Sequence, residues 1–289
     1  MNLRFTLEKA ARDCAVPLGT VEKDYLLTWI LWGLSQNPQF SNRAVFKGGT
    51  ALRKCYFGDS YRFSEDLDFT ATQAALTGIT LVKQIEIAMR LVEEKITEIG
   101  DFTLQWKRYL EKSDHPLGQE AFTIQARFPW QRQPLTTVMV EITLHESVLT
   151  PPIILPVLSS YPEIPPCQIP CYSLEEIAIE KLTAILATTK KLHEREWSRS
   201  RSRDVYDLWN LFRTYPRHFE PLDLISLLRK KCEPKGHFVS SHSDFWDPKW
   251  RSNVEASWTQ WLAPLRSQLP PCQIVLEEFR TQLETHLRF

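Results

Sequence analysis

Seven prolines crowd into residues 151–170, PPIILPVLSSYPEIPPCQIP. Proline fixes φ and has no amide hydrogen to give to a helix or a sheet, so the stretch predicts an extended connector rather than a helix or central strand. The pattern of apolar residues changes across it. The chain therefore reads as two domains, residues 1–165 and 166–289.

Upstream, helix and strand signals mix. Residues 20–34, TVEKDYLLTWILWGL, open on a threonine suited to capping and carry apolar residues at helical spacing. VFKGG predicts a short strand entering a glycine turn, TALRKCYF the helix after it, and RFSEDLDFT the next strand. Residues 81–99 form a long amphipathic helix. FTLQWKRYL, AFTIQARFP and TVMVEITLH each place apolar residues two apart, as strands do. Downstream, strand signals almost vanish: SLEEIAIEKLTAIL opens with a capping box, Ser173 and Glu176, and four further helical segments follow. The expected fold is α+β, a mixed sheet flanked by helices, followed by an all-helical domain.

Composition excludes several classes. Formal net charge is zero, from 35 basic and 35 acidic residues, so no global field announces a nucleic-acid partner and any such surface must be local. No run approaches the roughly 18 apolar residues that would span a bilayer. The first residues, MNLRFTLEKAARDCAVP, lack the pattern of a secretion signal, so the chain is expected in the cytoplasm with no membrane contact. Six scattered cysteines read as reduced thiols. Cys232, His237, His242 and Asp244 lie close together, but without the paired spacing of a zinc site they read as a polar surface loop.

Chemistry concentrates around two short motifs. In a strand, Asp66 and Asp68 share one face while Leu67 and Phe69 turn to the core. Two adjacent carboxylates repel unless a cation lies between them, and hard oxygen donors of this kind hold Mg²⁺ or Mn²⁺. A solvated acidic edge strand has the same pattern. In TVMVEITLH, Glu141 lies opposite the apolar face of Val138, Val140 and Ile142, and would complete a three-carboxylate cluster if its strand adjoined that of Asp66. Gly48 and Gly49, followed by Thr50, form a turn at a helix start whose N–H groups, with the Thr50 hydroxyl, suit phosphate.

The helical half adds two residues and a basic segment. Lys181 falls in the middle of the apolar face made by Ile177, Ala178, Leu182 and Ile185, where a lysine must snorkel outward or meet an anion. Asp204 stands at the start of a helix, either as a cap or as a functional acid; Asp207, one turn on, reads as a solvated acid. Residues 190–203 hold six Lys/Arg against two Glu with Trp197 interleaved, a composition suited to nucleic-acid phosphates or to a charged loop. The four tryptophans of residues 246–261 read as helical core.

The ordered set Glu22-Lys23-Asp24-Tyr25, Phe46-Lys47-Gly48-Gly49-Thr50-Ala51-Leu52, Arg62-Phe63-Ser64-Glu65-Asp66-Leu67-Asp68-Phe69, Glu180-Lys181-Leu182 and Arg203-Asp204-Val205-Tyr206-Asp207-Leu208 resembles the AbiEii/AbiGii (MenT-like) toxin family. That family is a branch of the DNA polymerase β-like nucleotidyltransferases. The resemblance implies phosphate binding by Gly49 and Thr50, metal binding by Asp66 and Asp68, contact of Lys181 with nucleotide phosphates, and a catalytic requirement for Asp204. It implies a toxin of a bacterial toxin–antitoxin or phage-abortive system, with a cognate antitoxin, using an NTP as substrate and an RNA acceptor, foremost the 3′ end of tRNA. A monomer is expected. Within the superfamily the acceptor could instead be a protein hydroxyl or a small molecule, and a regulator that binds nucleotide or RNA without chemistry is the rival from another class.

Overall fold

The computed structural model describes residues 2–72, 76–109, 117–195, 199–220 and 222–289. Helix α1 (Leu3–Cys14) leads into α2 (Leu18–Ser35), which is buried almost continuously from Val21 to Leu34. A helix with no polar face belongs inside, and α2 is the inner helix of the first of two compact units, Met1–Tyr172 and Ser173–Phe289. Thr20 does not cap it. The helix begins two residues earlier, after Pro17, and the Thr20 amide bonds to the Pro17 carbonyl at 3.0 Å as part of the first turn.

After the short α3 (Pro38–Ser41) come β1 (Ala44–Lys47) and α4 (Gly48–Ala51), which widens into a π-helical stretch over Leu52–Phe57. Then follow β2 (Asp66–Ala71), α5 (Gly78–Ile96), β3 (Thr103–Tyr109), β4 (Gln119–Arg127), β5 (Thr136–Thr143), β6 (Ile153–Pro156) and β7 (Gln168–Cys171). Among the described residues the seven strands make one sheet in the order β3-β4-β5-β2-β1-β7-β6. β2 runs parallel to β5 and β1 parallel to β7; the other pairs are antiparallel. Helices α2 and α5 pack tightly because Gly33 has no side chain: a Cβ there would lie 2.5 Å from Val92 Cγ2 and 2.7 Å from the Ala88 carbonyl oxygen.

The proline stretch is extended, as its composition predicts, but it is more than a connector. β6 and β7 both join the sheet, and β7 lies inside it, between β1 and β6. Prolines are tolerated because the ladders are short and β6 forms the sheet edge, where half of the backbone groups need no strand partner.

The second unit consists of α6 (Leu174–Arg195), α7 (Ser202–Thr214), α8 (Pro216–Phe219), α9 (Leu224–Cys232), α10 (Pro248–Leu262) and α11 (Cys272–His286), with no strand among its described residues. In the capping box at its start, Ser173 Oγ accepts from the Glu176 amide at 3.3 Å, and Glu176 Oε1 accepts from Lys231 Nζ on α9 at 2.7 Å. Both ends of that ion pair are buried. Of the four tryptophans read as core, Trp250 and Trp258 are buried, Trp246 is half-buried and Trp261 is exposed. Among the described residues no helix is long and apolar enough to cross a membrane.

One charge is buried at the heart of the first unit. Asp24, on the inner helix α2, is only 1% exposed, and its carboxylate receives Arg53 Nε, Lys54 Nζ and the Tyr161 hydroxyl, each at 2.9 Å. Burial alone would push its pKa up; the Lys54 ammonium and Arg53 guanidinium, with hydrogen bonds from Lys54 and Tyr161, reverse this and lower it to about 2. At Lys54 burial wins and the ammonium pKa falls, because one carboxylate is shared between two cations. Arg53 goes on to donate to the Tyr61 carbonyl at 2.6 Å and lies 3.9 Å over the Phe63 ring, so the network reaches the loop that enters β2.

Replacing Asp24 by Ala leaves two cations buried without their carboxylate and should cost about 3–5 kcal/mol in denaturant unfolding. The carboxyl pKa is lower in the folded than in the unfolded chain. Its contribution is therefore present above pH ~4 and is lost as pH falls toward 2, on the order of 2 kcal/mol. Unfolding curves of the wild type and the Asp24→Asn variant across that range should converge at the acid end.

Candidate functional site

Strand β2 separates its residues cleanly. Leu67 and Phe69 are buried, with the Phe69 ring 5.1 Å from Phe40 and 5.2 Å from Phe46, while the half-buried Asp66 and Asp68 occupy the opposite face. The sheet register then builds a polar row. β1 sets Lys47 opposite Asp68, and β5 sets Glu141 opposite Asp68 from the other side; Asp66 pairs with Met139. Partners in register share a face, so Lys47, Asp68 and Glu141 span three neighbouring strands in one line.

Lys47 was not legible as a site residue, since a lysine before a glycine pair looks like an ordinary strand end. It is buried, with its ammonium 5.8 Å from the centre of the Tyr172 ring, and only the β1–β2 register discloses that it adjoins Asp68.

The glycine turn meets the acids directly. Gly48 has φ of +79°, a left-handed value that other residues resist, and a Cβ added there would lie 2.5 Å from Asp68 Oδ2. The missing side chain is thus what lets the turn and the carboxylate approach. Gly48 opens α4, and Gly49 and Thr50 follow in the same turn. Thr50 is fully buried; its hydroxyl shares a hydrogen bond with Ser64 Oγ at 2.6 Å and donates to the Asp66 carbonyl. Its side chain fastens the turn to the start of β2, which leaves its backbone rather than its hydroxyl for a phosphate.

Glu141 Oε1 accepts from Gln119 Nε2 at 2.9 Å. Among the described residues no group of three or more His, Cys, Asp or Glu is placed to hold a metal ion. The three converging acids expected from the strand pattern narrow to the pair on β2, with Glu141 beside them and held by Gln119. Two carboxylates with hard oxygen donors fit Mg²⁺, which keeps several waters and takes its other ligands from substrate phosphates rather than from a full protein cage.

In the second unit Lys181 does meet anions. Its Nζ lies 2.8 Å from Asp204 Oδ1 and 2.8 Å from Asp207 Oδ2. Asp207, read from sequence as a solvated acid, is fully buried: three residues from Asp204 on α7, it falls on the same helix face and supplies the second carboxylate to a lysine in an apolar setting. Arg201 closes the group, with Nη1 3.3 Å from Asp204 Oδ2 and Nε donating to Thr188 Oγ1 at 2.7 Å. Burial would raise the Asp204 carboxyl, but Lys181 and Arg201 outweigh it and hold the pKa below the usual carboxylate range. Trp197, within the basic segment, lies outside the described residues. Of the loop residues weighed as zinc ligands, Cys232 is buried, His242 Nε2 donates to the Leu287 carbonyl at 2.7 Å, and Asp244 Oδ2 accepts from the Ser240 and Ser241 amides.

Residues 29–285 match the family model described as nucleotidyl transferase AbiEii toxin, type IV toxin–antitoxin system. The chain belongs to this family. It is a nucleotidyltransferase toxin of a type IV toxin–antitoxin system, and membership implies a cognate antitoxin. Among solved structures it is similar to MenT4, a nucleotidyltransferase toxin of Mycobacterium tuberculosis H37Rv. The match has a TM-score of 0.61 at 21% identity and covers 98% of this chain and 88% of that one. At that identity the likeness establishes a common fold. No curated protein sequence matches the chain.

Replacing Gly48 by Ala forces a Cβ onto the Asp68 carboxylate and a side chain into left-handed backbone. The variant should lose about 1–3 kcal/mol in thermal unfolding, whereas Gly19→Ala, in helix α2 with nothing within 4 Å of the added Cβ, should melt no lower than the wild type.

Proposed function

We propose that this toxin transfers a nucleotidyl group from an NTP to an RNA acceptor, foremost the 3′ end of a tRNA, with Mg²⁺ or Mn²⁺ held by Asp66 and Asp68. The observation that supports this reading is the approach of the Gly48 turn to Asp68, which sets backbone amides suited to phosphate beside carboxylates suited to a divalent ion. In such a transfer an acceptor hydroxyl attacks the α-phosphorus, the bond to the bridging oxygen breaks, and pyrophosphate leaves. A bound divalent ion would polarise the phosphoryl oxygens and ease loss of the hydroxyl proton.

The chain's own groups would do the positioning. N–H groups of Gly48, Gly49 and Thr50 would receive phosphate oxygens at the helix start, with the Lys47 charge alongside. Glu141, whose Oε1 accepts from Gln119, would join the metal-binding acids through its carboxylate as well. Lys181 would contact nucleotide phosphates. Asp204 would set the direction of that lysine through the 2.8 Å ion pair, a positioning role that would account for the catalytic requirement the family resemblance implies. We further propose that the toxin acts as a monomer in the cytoplasm.

Incubation with total tRNA and each radioactive NTP tests the reading. Wild type should label tRNA. Asp66→Ala and Asp68→Ala should reduce labelling by roughly a hundredfold or more while keeping the wild-type circular dichroism spectrum. Undiminished labelling by both variants refutes the metal assignment, and labelling of protein but no RNA refutes the acceptor.

A further inference from the structure

We propose that a pocket at the start of α7, walled by α10, binds a single-stranded segment of RNA. The pocket has a volume of about 570 Å³ and lies wholly within the second unit. Arg199 enters it from the segment leading into α7, Arg203 from the first turn of α7, and Asn253, Ser257, Gln260 and Trp261 from α10. The α10 residues recur at helical spacing, so they form one continuous stripe on a rigid element. None of the pocket's lining residues is acidic, in a chain whose acids and bases are equal in number.

The lining combines the groups that single-stranded RNA requires. Two guanidiniums suit phosphates. Trp261, 42% exposed, offers an indole face, and the Arg203 guanidinium lies 5.5 Å from the centre of its ring, so a base entering here would extend an existing stack. The amides of Asn253 and Gln260 can both donate to and accept from a base edge. An acidic protein segment would use the two cations but would have no use for the indole or the paired amides, which is why RNA fits better.

Two further features make the floor of the pocket fixed and positive. Ser257 Oγ lies 2.5 Å from Ser200 Oγ and 2.9 Å from Ser202 Oγ, tying α10 to the start of α7. α7 is thirteen residues long and has no side-chain cap, so its amino-terminal dipole faces this end. Asp204, the acid in its first turn, is already engaged by Lys181 and Arg201. The inference deepens the proposed function, since it rests on an RNA acceptor and names where part of that acceptor would lie.

The test uses the full chain and a fluorescein-labelled oligouridylate, read by anisotropy over a range of salt. Arg199→Ala/Arg203→Ala should weaken binding about tenfold or more and reduce the slope of log K against log salt by about 1.4, the value for two lost phosphate contacts on a single strand. Trp261→Ala should weaken binding roughly five- to a hundredfold with little change in that slope, and Trp261→Phe should recover part of the loss. Melting curves confirm that each variant is folded. Wild-type affinity and slope in the variants overturn the site, as does equal displacement of the oligonucleotide by polyglutamate or by free UTP at matched charge. A wild type that labels no RNA overturns the acceptor reading instead, and the oligonucleotide measurements still decide the pocket.

Discussion

A carboxylate buried on an inner helix has few ways to exist, and Asp24 takes the most demanding of them by gathering two cations and a phenol around itself. The partners come from two different parts of the first unit. Arg53 and Lys54 belong to the π-helical continuation of the glycine turn, and Tyr161 belongs to the proline-rich stretch. Arg53 carries the constraint onward to Tyr61 and Phe63, and Thr50 ties the same loop to β2 through Ser64 and the Asp66 carbonyl. The loop between the turn and the acids is thereby held from both ends. Such a network adds less net stability than an apolar core of the same volume would. Its consequence is specificity of placement, because any displaced partner leaves a charge buried alone.

The helical unit uses the same device on a smaller scale. Lys181 stands between Asp204 and Asp207, and Glu176 faces Lys231, in each case with a charge on α6 answered from another helix. In a low dielectric such pairs hold their groups in place, since displacing one partner would leave the other charge buried alone. A lysine with two carboxylates already in place has one direction in which to point.

Much of this was legible from local pattern. The period-two alternation around Asp66 and Asp68 announced their shared face, and the glycine pair announced a turn because few other residues tolerate that backbone. Lys181 was conspicuous as a charge at an apolar position of a helical wheel. What escaped were relations across elements. Lys47 needed the β1–β2 register, and Gln119 needed the β4–β5 register before it could be seen beside Glu141. Asp207 looked solvated until α6 brought a lysine to it, and Trp261 looked like core until α10 turned its face outward. The proline stretch misled in the other direction: its residues lack amide donors, yet an edge position and short ladders let two strands form there.

By itself the sequence determined most of the helices and strands outside the proline stretch, and the order of motifs that marks a nucleotidyltransferase toxin of this family. These follow from backbone propensity, apolar periodicity and residue chemistry, all of which act over a few residues. Only the tertiary structure decided which charges meet: Asp24 with Arg53 and Lys54, Asp68 with the Gly48 turn, Lys181 with Asp207. Burial makes an unpaired charge so costly that each must find a partner, but which partner depends on register and helix packing between residues far apart in the chain.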